Sequence, residues 1–165
     1  MTVNTAAGSI LSIATAPSSG VLTSLNPVLS DYLAMTWTAL GEVEDAGSVG
    51  DSAADITFES LADARVRHFA GPFDAGTERV ICGYDGQDTG QLAMEAGQAS
   101  RLLYAFKLEL KDRPSLDYSN TVKYYGARIL NAGVNVGNAR NVVRHEFSLG
   151  INTAVITVPP AFITP

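Results

Sequence analysis

Apolar and polar residues alternate along most of this chain, and that alternation is the first constraint on its fold. In residues 102–110, Leu102, Tyr104, Phe106, Leu108 and Leu110 fall on one strand face, with Lys107 and Glu109 on the other. In a second run, Val143, His145, Phe147, Leu149 and Ile151 share a face opposite Arg144, Glu146, Ser148 and Asn152. At about 2 kcal/mol per buried side chain, five apolar groups give each strand about 10 kcal/mol before chain entropy is subtracted. Residues 55–61 alternate as well, with Ile56 and Phe58 on one side. Further strands are predicted over residues 9–14, 32–40, 78–84, 121–130 and 154–158, while 65–69 fits a strand or a short helix. Turn residues separate them: Pro17-Ser18-Ser19-Gly20, Pro72 to Gly76, Asp112 to Ser115, Asn131-Ala132-Gly133 and Val136-Gly137-Asn138. About seven or eight short strands between turns predict a mainly β fold, a β-sandwich or barrel.

One segment has helical period. Residues 89–99 follow Asp88, an N-cap whose carboxylate accepts from orphan amides of the first turn. Gln91, three positions on, reaches back to the Asp88 amide in a capping box. The sequence therefore predicts one helix flanking a β scaffold. Residues 1–30, rich in Ser, Thr, Ala and Gly, read as a partly extended arm that gains order by docking. Residues 31–165 read as one β domain. Between the strands lies a Gly-rich loop, residues 41–53, carrying Glu42, Glu44, Asp45 and Asp51. Loops this long in compact domains are often functional. Its removal is expected to leave the fold intact.

Composition narrows the function classes. With 46% hydrophobic and 17% charged residues, the chain lies outside the disordered class. No run of 18 apolar residues predicts a transmembrane helix, and the N-terminus lacks a secretory signal pattern. A single cysteine, Cys82, excludes an internal disulfide and a cysteine-rich zinc site. Net charge is −6, unevenly spread: residues 1–64 contain no Lys or Arg, and all 11 basic residues follow. No basic stripe interleaved with aromatics marks a nucleic-acid reader. An acidic half beside a mildly basic one favours head-to-tail attraction between copies, although a solvated acidic face explains the same charges.

Chemistry-bearing residues form no catalytic pattern. His68 and His145 lack partners at metal-ligand spacing, and His145 falls on an apolar strand face. There is no Gly-x-Ser-x-Gly elbow. Cys82, beside Val80 and Ile81, reads as a small buried hydrophobe. Asp85-x-Gln87-Asp88 lacks the downstream glycine and bidentate glutamate of a calcium loop. No enzyme, metal or cofactor is expected. A carbohydrate-binding module would show a row of exposed aromatics, for which Tyr118, Tyr124 and Tyr125 are the candidates.

The order of segments carries a resemblance. Trp37-x-x-Leu40-Gly41-Glu42-Val43 leads into the acidic loop. Ile56-Thr57-Phe58-Glu59-Ser60-Leu61-Ala62-Asp63 follows, then Gly71-Pro72-Phe73-Asp74-Ala75-Gly76, then Tyr84-Asp85-Gly86-Gln87-Asp88-Thr89-Gly90-Gln91 opening the helix. Over residues 37–156 this resembles the tail tube (major tail) proteins of long-tailed, non-contractile bacteriophages. The resemblance implies a β-sandwich flanked by a helix and subunits in hexameric rings stacked into a hollow tube. That tube surrounds a tape-measure protein and later passes DNA through an acidic lumen without binding it. The implied partners are further copies, the tape-measure protein and the tail terminator and distal tail proteins; the implied place is the virion, after assembly in the host cytoplasm. The loop residues Glu42, Glu44, Asp45 and Asp51, with Trp37, are expected at contacts between subunits or rings. The alternatives are a monomeric β-sandwich module that binds a ligand such as a carbohydrate and, after it, another phage structural protein, a capsid decoration or neck protein.

Overall fold

The alternating segments assemble into one strongly curled antiparallel sheet. The computed structural model describes residues 4–16, 18–62 and 64–163; Pro17 and Asp63, used in reading the sequence, lie outside the described residues. In chain order the elements are β1 (Ile10–Ala16), a single 3-10 turn (Ser18–Gly20), α1 (Leu29–Leu33), β2 (Thr36–Ala39), β3 (Val43–Asp45), β4 (Ser52–Glu59) and β5 (Val66–Asp74). Then come β6 (Thr77–Gly83), α2 (Thr89–Ser100), β7 (Tyr104–Glu109), β8 (Val122–Asn135), β9 (Arg144–Ile151) and β10 (Ile156–Val158). The main sheet runs β2-β1-β7-β8-β9-β6-β3, with β10 paired to the first half of β8. Strands β4 and β5 form a separate two-stranded sheet. The fold is mainly β with one long helix, as the sequence predicts.

The two edges of the main sheet, β2 and β3, are joined only by Leu40, Gly41 and Glu42. Four residue steps span at most about 14 Å, so the sheet curls back on itself into an incomplete barrel. Leu11, Ile13, Val80, Phe106, Phe147 and Leu149 fill the interior, with Met94 packed in from α2. Phe106 and Tyr125 stack there with centroids 5.7 Å apart. A second cluster, with Ala14, Leu22, Tyr32, Leu103, Ala105 and Tyr124, has α1 and Trp37 packed on it. Both faces of β1 and β7 are therefore covered. Ala105 is fully buried, and Lys107 and Glu109 are only half-exposed. Leu102 and Leu110 lie outside β7.

Several segments depart from the sequence reading. The strand expected over residues 9–14 forms as β1, but it is internal to the main sheet, paired with β2 on one side and β7 on the other. The strand expected from residue 32 begins as α1: Asp31 accepts from the Val28 amide at 2.9 Å, and Leu29 and Tyr32 lie at helical spacing. Tyr32 is fully buried and stacks on Tyr124 at 5.5 Å. Asn131-Ala132-Gly133 is a bulge and not a turn. Ile129 pairs with Leu149 and Asn131 with Ser148, so Leu130 has no partner and the strand continues to Asn135 with its faces exchanged. Pro72 and Phe73 are likewise inside β5, near a register shift where proline is tolerated. The expected loop 41–53 contains β3, and its Val43, Ala46 and Val49 pack on the core. That segment belongs to the body, so its removal would not leave the fold intact.

Candidate assembly interface

The most exposed regular structure is the β4–β5 hairpin. Across it, Ile56 pairs with Phe69, Phe58 with Arg67, Thr57 with His68 and Glu59 with Val66. Paired residues share a face, so Ile56, Phe58 and Phe69 form one largely apolar side, which Arg67 shares opposite Phe58. They are 51%, 55% and 54% exposed, and every residue of β4 lies open to solvent. The other side is polar, where His68 Nδ1 meets Asp55 Oδ2 at 2.8 Å. A lone two-stranded hairpin is marginal in water. Phe58 and Phe69 on its surface are the kind of exposed apolar patch that marks contact with another molecule.

The acids singled out in the sequence sit at the base of this hairpin and on the neighbouring sheet edge. Glu44 is on β3, where Arg144 donates to it from two nitrogens, one at 3.1 Å. Arg144 reaches it across Gly83, the residue opposite it on the intervening strand. The bonds from Arg144 hold the Glu44 carboxyl below its usual range. Asp45 accepts from Gly47 N–H at 2.8 Å, and Asp51 from Val155 N–H at 3.3 Å. Glu42 takes a left-handed φ of 52° in the turn between the two edges, and its carbonyl accepts from Gly83 N–H. Trp37 is on the opposite edge strand, β2, half-buried against Tyr124 at 5.8 Å, with Lys107 Nζ 5.8 Å from its ring. The structure thus places Glu42, Glu44 and Asp45 in or beside β3, Asp51 just before β4 against Val155, and Trp37 on β2.

The helix cap does more than end a helix. Asp88 Oδ1 accepts from Gln91 N–H at 2.8 Å and from Gly41 N–H at 3.2 Å, tying α2 to the turn between β2 and β3. Gln91 does not turn its side chain back to the Asp88 amide, which bonds to Asp85 O instead. The Gln91 amide donates to Gly83 O at 2.8 Å and accepts from Asp85 N–H, with His145 Nδ1 at 3.3 Å. Gln91 is buried at the seam where the barrel closes, and a buried amide needs those partners more than a cap needs its reciprocal bond. His145 is also buried; desolvation lowers its pKa, against the opposing pull of Glu95. Burial pushes the Cys82 thiol up to about 11, and no group of metal-ligating residues occurs among the described residues. Tyr124 and Tyr125 are buried, so the aromatic row of a carbohydrate module does not form.

Comparison with known proteins places this geometry. No protein-family model and no curated protein matches the sequence. Among solved structures, a chain of the anti-feeding prophage (AFP) baseplate matches with a TM-score of 0.65 at 11% identity, over 96% of this chain and 97% of that one. A chain from the PVC sheath/tube terminator of an extracellular contractile injection system matches at 0.64 and 10%, over 96% and 98%. The SPP1 tail tube matches at 0.59 and 11%, over 92% of this chain and 76% of that one. The fold is a tail-tube fold. The resemblance read from the order of sequence motifs and the likeness in three dimensions agree.

In this tail-tube fold the outer face of the β9, β6 and β3 strands is a ladder of charges. Arg79 donates to Glu146 at 2.8 Å, Asn135 donates to the same carboxylate, and Arg144 reaches Glu44. Two residues went unrecognised in the sequence. Phe69 lay in a segment read as either helix or strand. Glu78 shares strand parity with Val80 and Cys82 and so was due to point inward. It is 1% exposed, receives Tyr125 Oη–H at 2.6 Å, and burial raises its pKa to about 7.

Proposed function

We propose that this chain is a structural subunit of a phage tail: copies associate as rings, hexameric by family resemblance, and the rings stack into a hollow tube that guides DNA during ejection. The observation that carries the reading is the β4–β5 hairpin, whose apolar side of Ile56, Phe58 and Phe69 lies bare on a tail-tube fold. A second copy supplies the surface that this side lacks in one chain. The acidic segment with Glu42, Glu44, Asp45 and Asp51 sits at the root of the hairpin, where it contributes to the same contacts. The scarcity of basic residues in the first 64 positions suits a lumen that does not retain phosphates. The chain performs no catalysis in this role and needs no cofactor. Its further partners are a tape-measure protein and the terminator and distal proteins of a virion tail.

Negative-stain electron microscopy of the purified protein tests the reading. Rings or tubes are expected, and persistent monomers at high concentration overturn it. Rings that never stack identify a terminator-like subunit, a second reading favoured by the likeness to the PVC terminator structure.

A further inference from the structure

Glu78 is the one described residue whose buried side-chain oxygen lacks a hydrogen-bond partner. Tyr125 satisfies Oε2, while Oε1 faces no donor. Directly over the Glu78 stem runs the backbone of Gly47: a methyl group built there would lie 3.3 Å from Glu78 Cγ and 2.7 Å from Arg79 O. Gly47 holds a left-handed φ of 64°, so glycine serves both the turn and the close approach. The segment from Ala46 to Asp51 is held by the packing of Ala46 and Val49 on the core and by a few polar contacts. Lys123 Nζ donates to Val49 O at 3.0 Å, Asp51 takes the Val155 amide, and Asp45 takes the Gly47 amide. It continues directly into β4, so it forms one foot of the hairpin.

We propose that this segment is a proton-controlled latch: it stays seated while Glu78 is neutral and lifts to let water reach the carboxylate when Glu78 ionises. A neutral carboxyl with one unmet polar atom costs less in an apolar site than a carboxylate with one bare oxygen. The groups facing Glu78 supply no compensating charge. From β8 comes the neutral Tyr125, and from β9 the apolar Leu149 paired beside it. Lys123 is engaged with Val49 O, Arg79 with Glu146 on the outer face, and the segment itself brings only Asp45 and Asp51. Ionisation therefore favours hydration, and the Gly47 backbone, which puts no side chain over the Glu78 stem, is the route this latch assigns to water. The latch is a property of the single chain and holds whether or not rings form.

Hydrogen exchange of the wild type and Glu78→Gln, compared at about pH 6 and about pH 8.5, tests it. At the higher pH the peptide covering residues 46–51 is expected to exchange about tenfold faster in the wild type than in the variant, with equal rates at the lower pH. Equal rates at both values overturn the latch. Should Glu78→Gln fail to fold, carbon-13 resonances of the Glu78 carboxyl and the amide resonance of Gly47 are followed in the wild type and Tyr125→Phe. The two signals are expected to titrate together and to move to higher pH in Tyr125→Phe, since Tyr125 hydrogen bonding favours the ion. A Gly47 resonance that ignores the carboxyl titration also overturns it.

Discussion

Strands β9 and β4 each contain eight residues and carry similar alternating patterns, yet they meet opposite environments. In β9 every second residue is buried, and Phe147 and Leu149 are fully enclosed by β8, β6 and the core. In β4 all positions are exposed, and among the described residues the only strand paired with it is β5. Alternation specifies a strand and which residues share its face. It does not specify the surface that the face will meet. Strand β9 finds that surface within the same chain, because β6 and β8 flank it. Strand β4 follows the acidic segment and pairs into a separate two-stranded sheet, and among the described residues no strand of the main sheet pairs with it. Its apolar side has the chemistry of an interface and the exposure of a surface.

Substitutions that open the core should break this contrast most strongly. Phe147→Ala deletes a ring at 0% exposure that also lies 4.1 Å from the His145 ring. A loss of about 3–5 kcal/mol is expected in chemical denaturation. A loss below about 1 kcal/mol would mean that β9 is not packed as described.

Next in size is the effect of pH. Glu78 has a folded pKa of about 7 against an ordinary value of 4.5. The folded chain binds its proton more tightly than the unfolded chain, so stability is greatest below the unfolded value. It falls as pH rises towards the folded value and levels off above it. The drop is about 3 kcal/mol by linkage. Glu78→Gln should flatten this slope in denaturation midpoints measured across that range. A slope unchanged in the variant assigns the pH dependence to other groups.

The seam between the edges comes third. A methyl group on Gly90 would lie 2.4 Å from Ala39 O and 2.8 Å from Leu40 Cα, both backbone atoms that cannot swing aside. Gly90→Ala should cost about 1–3 kcal/mol by pushing α2 away from the β2–β3 turn. Asp88→Ala removes the cap and the Gly41 bond together, and about 1 kcal/mol is expected. Equal melting curves for the wild type and Gly90→Ala would mean that α2 does not close the barrel.

Much of the body was legible because its signals are local. The Asp88 cap and helical period place α2, and period-2 runs place β6, β7 and β9, because each such run finds its core close by. The failures are equally physical. Residues 32–40 alternate well enough for a strand, but Asp31 at the third helical position and Tyr32 spaced from Leu29 decide for α1. Turn residues at Asn131 to Gly133 mark a bulge that exchanges faces, a distinction that depends on the pairing with β9. The acids of residues 42–51 read as a free loop because β3 is only three residues long and gains its place by pairing with β6. Nothing local to Ile56 or Phe58 distinguishes a face that stays bare from one that is covered.

The smallest effect on stability therefore belongs to the residues with the largest proposed role. Phe58→Ser together with Phe69→Ser removes two rings that are more than half exposed and lie on one side of the hairpin. Surface changes of this kind usually alter stability by less than about 0.5 kcal/mol, so the melting temperature of the isolated chain should hardly move. Ring and tube formation, followed by light scattering and electron microscopy, should disappear. Tubes that persist in this variant assign assembly to another surface, such as the edge strands β2 and β3 with Trp37 and Glu44. A variant that unfolds instead makes the hairpin part of the core, and the contrast between β4 and β9 would collapse. Loss of tubes from a chain that melts as before leaves one explanation standing: the apolar side of β4 and β5 completes its packing on a second copy.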